Sequence, residues 1–409
     1  VAGLIPLDDA RREVLDAITR LDTRAVPIER ARGLVLAEDV VAREAVPPFA
    51  NSAMDGYAVV AADTGEASPS SPVRLRVVGE LPAGRAPSRA VGPGEAIRIM
   101  TGAAVPDGAD AIVMVERTER DGDGVLVYEA ARTGDHVRGA GGDLQAGQSV
   151  FARGAVLGAA HVGLLASLGS SEVTVVPRAR VGVLSTGDEL VEGPAALSPG
   201  QIRDSNRPML LALLDEAGCE PRDLGIARDD EDLIVRTLED AFASCDAVIT
   251  SGGVSVGDYD FVKAALDRFG ALQWRQVAIR PAKPFAFGVV QGVPVFGLPG
   301  NPVSSHVSFE LFARPALLQM MGHTARFRPE VRAVAEEAMP RKADGKLHLD
   351  RVRVREENGR YHAARTGSQA SNALSAMALA NGLALLPDGD GVSQGGEVTV
   401  MRLDWPADR

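Results

Sequence analysis

The stretch Asp246-Ala-Val-Ile-Thr-Ser-Gly-Gly-Val-Ser-Val-Gly-Asp-Tyr-Asp260 decides how the chain is read. Ala247, Val248 and Ile249 form a short apolar run of the kind that makes a fully buried strand. It passes into small residues and then into a helical pattern over 261–269. Gly252, Gly253 and Gly257 lack the Cβ atoms that hold a ligand away from the backbone. Ser251 and Ser255 add hydroxyls, and successive N–H groups in such a turn can converge on an anion. Asp258 and Asp260 then place carboxylates beside it, which suits a divalent cation or a substrate hydroxyl lying between them. A strand-to-helix turn capped by Asp258 would explain the glycines alone. Glycines, serines and paired acids together point to a phosphate or oxyanion site.

Working outward, residues 180–325 alternate strand and helix. Strands are expected at 181–184, 224–227, around Val248, at 285–289 and at 293–297. Helices are expected over 208–216, with Asn206 as N-cap and Gly218 as the stop, through Ile234, Leu238, Ala241 and Phe242, and over 303–320. This predicts a doubly wound, mostly parallel sheet covered on both faces, with ligands at the carboxyl ends of its strands. The flanks differ in texture. Residues 8–22 read as an amphipathic helix through Val14, Ala17, Ile18 and Leu21, and a second helix at 158–168 is expected to pack on it. Between them, Val/Ile-rich runs at 73–78, 96–100, 111–115 and 125–128 predict an all-β insert. Runs at 331–335, 352–355, 383–386 and 398–401 predict a β-rich, barrel-like end. The expected division is a discontinuous linker and dimerisation domain (4–45 and 139–177), a β-rich insert (46–138), the α/β domain (178–325) and a C-terminal β-rich domain (326–409).

The totals narrow the function. A chain of 409 residues exceeds one ordinary core, and 45% hydrophobic with 24% charged residues is usual for a globular protein. No apolar run reaches membrane-span length, the start lacks the build of a signal peptide, and two unpaired-looking cysteines, Cys219 and Cys245, suit a reducing compartment. A cytoplasmic location with no membrane contact is expected. Six scattered histidines offer no zinc spacing. A net charge of −12 repels nucleic-acid phosphates, so an anionic ligand must be held by local N–H groups, a few focused cations and a bridging metal ion.

Six further segments carry candidate chemistry. Leu184-Ser-Thr-Gly-Asp-Glu-Leu190 follows a strand and is either a ligand loop or an ordinary turn with Asp188 as N-cap. Arg280-Pro-Ala-Lys-Pro-Phe-Ala-Phe-Gly288 projects Arg280 and Lys283 from a stiff, proline-bounded backbone; rigidity is of little use to a merely solvated charge. Gly297-Leu-Pro-Gly-Asn-Pro-Val-Ser-Ser305 begins a helix with Ser304 and Ser305 where anions bind well. Pro47 to Tyr57 groups Asn51, Ser52 and Asp55, and reads by itself as a loop held by side chains. Thr101 ends a strand at Arg98-Ile-Met-Thr-Gly-Ala103, and Thr366-Gly-Ser-Gln-Ala-Ser-Asn372 reads alone as a cap for a helix over 373–379.

Taken in order, NSAMDGYA, MTGA, STGDEL, SGGVSVGDYD, RPAKPFAFG, LPGNPVS and TGSQASNAL resemble the molybdopterin molybdenumtransferase family, the MoeA proteins and the E domain of gephyrin. The strings span Asn51 to Leu374. The resemblance implies an elongated four-part subunit forming a homodimer, its site lying between the α/β domain of one copy and the β insert of the other. It implies that adenylyl-molybdopterin and molybdate are bound, that the adenylyl pyrophosphate bond is hydrolysed with Mg²⁺, and that molybdenum cofactor and AMP result. On that resemblance Asp55, Glu189 and Asp260 position Mg²⁺ and the attacking water, and Asp229 or Asp230 supplies a further acid. Ser255, Arg280, Ser304, Arg351 and Ser371 form a molybdate pocket, faced by Thr101 from the insert; Ser251, Gly252, Gly253 and Lys283 complete the substrate set. Arg280 stands where the family usually has Lys, and Gln276 where a Lys is common. The family also implies contact with molybdopterin adenylyltransferase and with proteins that mature molybdoenzymes. Two rivals remain, a molybdopterin adenylyltransferase and a gephyrin-like binding scaffold. NSAMDGYA argues against the first and the retained acids against the second.

Overall fold

The computed structural model describes residues 3–252, 261–270 and 272–404. Its centre is a six-stranded sheet: β1 (Arg180–Thr186), β2 (Glu220–Ala227), β3 (Ala247–Ser251), β4 (Leu272–Gln276), β5 (Pro284–Val290) and β6 (Val293–Leu298). The order is β2-β1-β3-β6-β5-β4. The first four of these are mutually parallel, as expected; β5 and β4 add antiparallel. The reversal has a local cause. Gln291 and Gly292 both take positive φ (50° and 85°), the geometry of a two-residue hairpin turn, so β5 and β6 join directly without a helix.

Helices cover both faces. Asn206–Glu216 is not capped by Asn206 itself: the Asp204 carboxylate accepts from the N–H groups of Asn206 and Arg207, both at 3.1 Å. Gly218 ends it as expected, with φ 79° and its N–H bonded to Asp215 O. Glu231–Ser244 is capped by Asp230, which accepts from Leu233 N at 2.9 Å, and buries Ile234, Leu238, Ala241 and Phe242. The continuous helix expected over 303–320 is instead three pieces: Pro302–Ser308, a π-helical turn at Phe309–Ala313 and Arg314–Met320. Pro315 explains the break, since it cannot donate to the Leu311 carbonyl one turn earlier. That carbonyl instead accepts from Arg11 Nε at 3.3 Å.

Arg11 belongs to the first helix, Leu7–Asp16, whose packing departs from expectation. Ala10 and Val14, with Ile18 beyond its end, are buried in the α/β core with Phe285, Phe312 and Leu317, not against the second helix. It stops at Asp16, earlier than the apolar periodicity suggests, because the Gln319 side-chain amide caps it, donating to Leu15 O at 2.7 Å and Ile18 O at 3.3 Å. The second helix, Ala159–Ser167, packs on a small sheet in which Arg24–Pro27 and Val35–Leu36 flank Glu172–Val176. That sheet closes the chain around the insert.

The insert is a six-stranded sheet whose strands include Gly56–Val59, Val73–Leu81, Glu95–Ile99, Ala111–Met114 and Gly124–Val127. Alternate residues serve two apolar clusters: Tyr57, Val59 and Val113 in one, Ala58, Ile97, Ile99 and Ile112 in the other. The C-terminal strands Leu347–Glu357, Arg360–Arg365, Glu330–Ala335, Glu397–Arg402 and Gly382–Leu386 pair in that order, and the last returns to the first, closing a five-stranded barrel. One junction matters for function. Ile279–Arg280, leading out of β4, pairs in parallel with Leu347 and His348 at the barrel edge. Sheet and barrel therefore meet at Arg280.

Candidate active site

The carboxyl ends of β1, β3 and β6 lie together, next to the point where the chain reverses its direction of winding. Gly252, with φ 97°, is the contact: a Cβ there would lie 3.0 Å from the Thr186 carbonyl oxygen. Its N–H bonds to Leu298 O at 3.1 Å, and Gly300 packs beside it. Asn206 ties two of the loops, its amide nitrogen donating to Ser251 Oγ and to Gly300 O at 2.8 Å each. Ser251 and Asn206 are both buried. Gly253, Ser255 and Asp260 lie outside the described residues.

Glu189 sits on the loop after β1 and is exposed. Among the described residues its carboxylate has no hydrogen-bond or ion-pair partner, and a Cβ on Gly187 would collide with it. Asp188 caps no helix; it accepts from Asp229 N at 3.3 Å and so fastens the β1 loop to the β2 loop. Of the two acids left open by the sequence, Asp230 is occupied as a helix cap while the Asp229 carboxylate stays exposed. Among the described residues no three His, Cys, Asp or Glu side chains converge as a metal site.

Beside these loops lies a cavity of about 370 Å³ between sheet and barrel. Arg280, Lys283, Ser304, Ser371, Asn301 and Lys346 line it, so four of the predicted residues share one space. Its walls are fixed by backbone: Val303 N donates to Ser371 O at 3.1 Å, and Val277 N to Lys283 O at 2.8 Å. Between Arg280 and Lys283, buried Ala282 holds φ 73°, a left-handed conformation that costs a non-glycine residue about 1–3 kcal/mol and is often kept where a site needs it. Arg280 and Lys283 are exposed and, among the described residues, have no side-chain ion pair. Asp344 is the carboxylate in the lining, and in a chain of net charge −12 two cations without ion pairs among the described residues beside a concave space are suited to an anionic ligand.

Lys346 was missed by the sequence reading. It stands in an ordinary barrel-edge strand approach, Gly345-Lys-Leu347, and only the pairing of 279–280 with 347–348 brings it to the cavity. Its ammonium bonds to Asp344 at 2.7 Å. Asp344 also accepts from Arg341 at 3.0 Å and lies 3.1 Å from His348 Nε2. The Lys346 bond first, and His348 after it, hold the Asp344 carboxyl down at about 2.

Arg351 takes a different place from the one expected. It is only 1% exposed and lines a neighbouring cavity, with its guanidinium donating to Leu349 O, Ser368 O and Ala370 O at 3.1–3.2 Å. It braces the loop that carries Ser371. That loop does not cap the short helix Leu374–Ala378, which has no side-chain cap.

Asp55 and Thr101 form a unit on the insert: Asp55 accepts from Thr101 N at 2.7 Å and from Thr101 Oγ1 at 2.6 Å, and these bonds keep its carboxyl below the usual range. Both are exposed, and neither hydrogen-bonds to the α/β loops of its own chain among the described residues. Asn51 and Ser52 are buried and structural, Ser52 Oγ donating to Met54 O at 2.5 Å.

A doubly wound domain with a cation-lined cleft beside its strand-end loops, joined to two β-rich modules, defines a multidomain α/β protein. Residues 5–169 match the MoeA N-terminal region (domain I and II), residues 182–319 a probable molybdopterin binding domain, and residues 332–403 the MoeA C-terminal region (domain IV). The molybdopterin molybdenumtransferase 2 of Mycobacterium tuberculosis is 42% identical over 93% of this chain and 95% of its own length. The molybdopterin molybdenumtransferase of Haemophilus influenzae is 37% identical over 97% and 98%. The crystal structure of the molybdopterin biosynthesis MoeA protein from Pyrococcus horikoshii superposes with a TM-score of 0.84 at 33% identity, covering 98% of this chain and all of that one. The chain belongs to the molybdopterin molybdenumtransferase family, and with it to molybdenum cofactor biosynthesis.

Proposed function

We propose that this enzyme transfers molybdenum from molybdate to adenylyl-molybdopterin and releases AMP. The observation that carries the reading is the sheet–barrel cavity, where Arg280, Lys283 and Lys346 face the hydroxyls of Ser304 and Ser371. Cationic N–H and neutral O–H donors around one small space suit a tetrahedral dianion, which accepts from all of them. Ser251, Gly252 and the loops clamped by Asn206 lie beside it and suit the phosphates of the second substrate.

In this reading the chain's residues chiefly bind and orient. Arg280 and Lys283 neutralise the oxyanion, Lys346 is steered toward it by Asp344, and Ser304 and Ser371 fix its rotation. Magnesium, when bound, would polarise the adenylyl pyrophosphate. Glu189, an exposed carboxylate with no ion pair among the described residues, fits one ligand position, and Asp229 beside it fits a second-sphere role. Among the described residues of one chain the ligand set is incomplete. The remaining ligands proposed are Asp260 and Asp55 of a second copy, since Asp55 and Thr101 form an exposed pair that, among the described residues, makes no hydrogen bond to its own α/β domain. A homodimer with shared sites, receiving substrate from molybdopterin adenylyltransferase and passing product to molybdoenzyme maturation proteins, follows from the same reading.

The test is molybdate- and magnesium-dependent release of AMP from adenylyl-molybdopterin. Asp55→Ala and Ser371→Ala proteins should each be inactive alone, and mixing them should restore about a quarter to a half of the sites if each site draws on two copies. Undiminished activity in the Asp55→Ala protein alone would sink the shared site.

A further inference from the structure

The loop that carries Glu189 makes a long excursion before the helix Asn206–Glu216 begins. The chain leaves at Leu190–Val191 and returns at Ile202–Arg203, and these two segments pair as a short parallel ladder. Every residue between them from Glu192 to Gly200 is exposed. Two backbone bonds close the neck of this flap: Ile202 N donates to Glu189 O at 2.8 Å, and Asp204 N to Val191 O at 3.1 Å. Glu189 stands in that neck, so its position follows the neck. A ladder of two short strands is marginal by itself in water.

Arg207 supplies the anchor. Its side chain is 5% exposed and meets carboxylates from three parts of the chain: Asp204 at 3.1 Å where the flap returns, Glu192 where it leaves, and Asp223 in β2. The Asp204 side chain is buried as well, and its other oxygen accepts from Asn206 N and Arg207 N. A planar guanidinium presents its donors in a fixed fork and can serve several acceptors at set angles, which a compact ammonium does not. The partners differ in what they hold. Asp204 and Asp223 join the start of the helix to the sheet. Glu192 is 62% exposed and lies just past Glu189, yet it is drawn to a buried cation. An exposed glutamate loses rotamer freedom in such a bond, and what the bond secures is the Glu189 limb of the flap.

We infer that Arg207 is a positioning residue for Glu189: through Glu192 and Asp204 it latches both limbs of the flap to the sheet and so holds Glu189 at the carboxyl end of β1. Its neighbour Asn206 ties the segments of Ser251 and Gly300. One helix start thus sets Glu189 against the ends of β3 and β6. The inference rests on the proposed function for what Glu189 does, but not for the latch itself. A loosened Glu189 would be aligned for a smaller share of the time, which lowers kcat. The cavity lined by Arg280, Lys283 and Ser304 belongs to other elements and should keep its affinity.

Arg207→Ala would strand the buried Asp204 carboxylate and unsettle the fold, so the test uses Glu192→Ala in the full chain. Glu192→Gln, which keeps an acceptor for the guanidinium, is measured beside it. The readouts are melting temperature, hydrogen–deuterium exchange over residues 190–204, and AMP release with molybdate varied. In Glu192→Ala the melting temperature should hold while the Ile202 and Asp204 amides exchange about tenfold faster or more. Its kcat should fall about fivefold or more with molybdate KM unchanged, and Glu192→Gln should lie between it and wild type. Wild-type exchange in Glu192→Ala overturns the latch. Faster exchange with wild-type kcat overturns the positioning role, and so does a melting temperature that falls in step with kcat. The proposed function fails separately, by the wild-type protein releasing no AMP or by Glu189→Ala turning over at the wild-type rate; the exchange measurement reads the latch in either case.

Discussion

The Asn206 side-chain nitrogen donates to Ser251 Oγ and to the Gly300 carbonyl, each at 2.8 Å, from a site that is 8% exposed. One amide thus sets the spacing of the two loops that end β3 and β6.

Asn206→Ala removes both bonds and leaves a buried hydroxyl and a carbonyl without this donor. The expected loss is about 1–3 kcal/mol of stability, with turnover falling further than stability alone explains because the loops lose their separation. Denaturant unfolding and AMP release, measured on the same preparation, check both parts.

Ala282→Gly should separate strain from function. Glycine adopts φ 73° without a Cβ penalty, so the variant should unfold at the same or slightly higher denaturant concentration. It should also loosen the arm holding Arg280 and Lys283, so molybdate KM should rise. An unchanged KM would show that the left-handed residue is not what aims those cations.

Lys346→Ala should weaken molybdate binding by about fivefold to a hundredfold, the range for losing one charge-assisted contact. Lys346→Arg should recover most of it. Direct binding of molybdate by calorimetry decides the matter, and equal affinity in Lys346→Ala removes this residue from the pocket.

Acid should act on the barrel edge through Asp344. Its folded carboxyl stands at about 2 against an ordinary 3.8, so the folded chain stays ionised there after the unfolded chain has taken a proton. The stabilisation is fully present above about pH 4 and drains away as pH falls through 2. Asp344→Asn should flatten this part of the stability-versus-pH curve, and an identical acid limb in the variant would refute it.

Cys219 should be silent to thiol reagents in the folded protein. Burial pushes its thiol up to about 12, so almost no thiolate exists at neutral pH. Colorimetric titration should detect it only after denaturant is added.

Much of this was legible in the sequence because it depends on local pattern. The runs that became β1, β3 and β6 declared parallel strands, and the family strings pointed to the fold. What escaped depended on distant pairing. Lys346 carries no signal of its own, and it enters the site only because Ile279–Arg280 joins the barrel edge at Leu347–His348. Arg351 was expected in the oxyanion pocket only through the family resemblance, and its donors hold three carbonyls. The interrupted helix was readable in principle from Pro315, whose missing N–H leaves the Leu311 carbonyl for another donor.

That carbonyl's bond to Arg11 reaches across 300 residues of chain. During synthesis the Leu7–Asp16 helix emerges long before Phe312 and Leu317, against which it finally rests, have been made. Until those residues exist, the apolar face of that segment has no finished core to cover it. The α/β unit excised at residues 178–325 would for the same reason lack a piece of its own interior, and should be recovered in soluble form only when residues 3–22 are supplied alongside it.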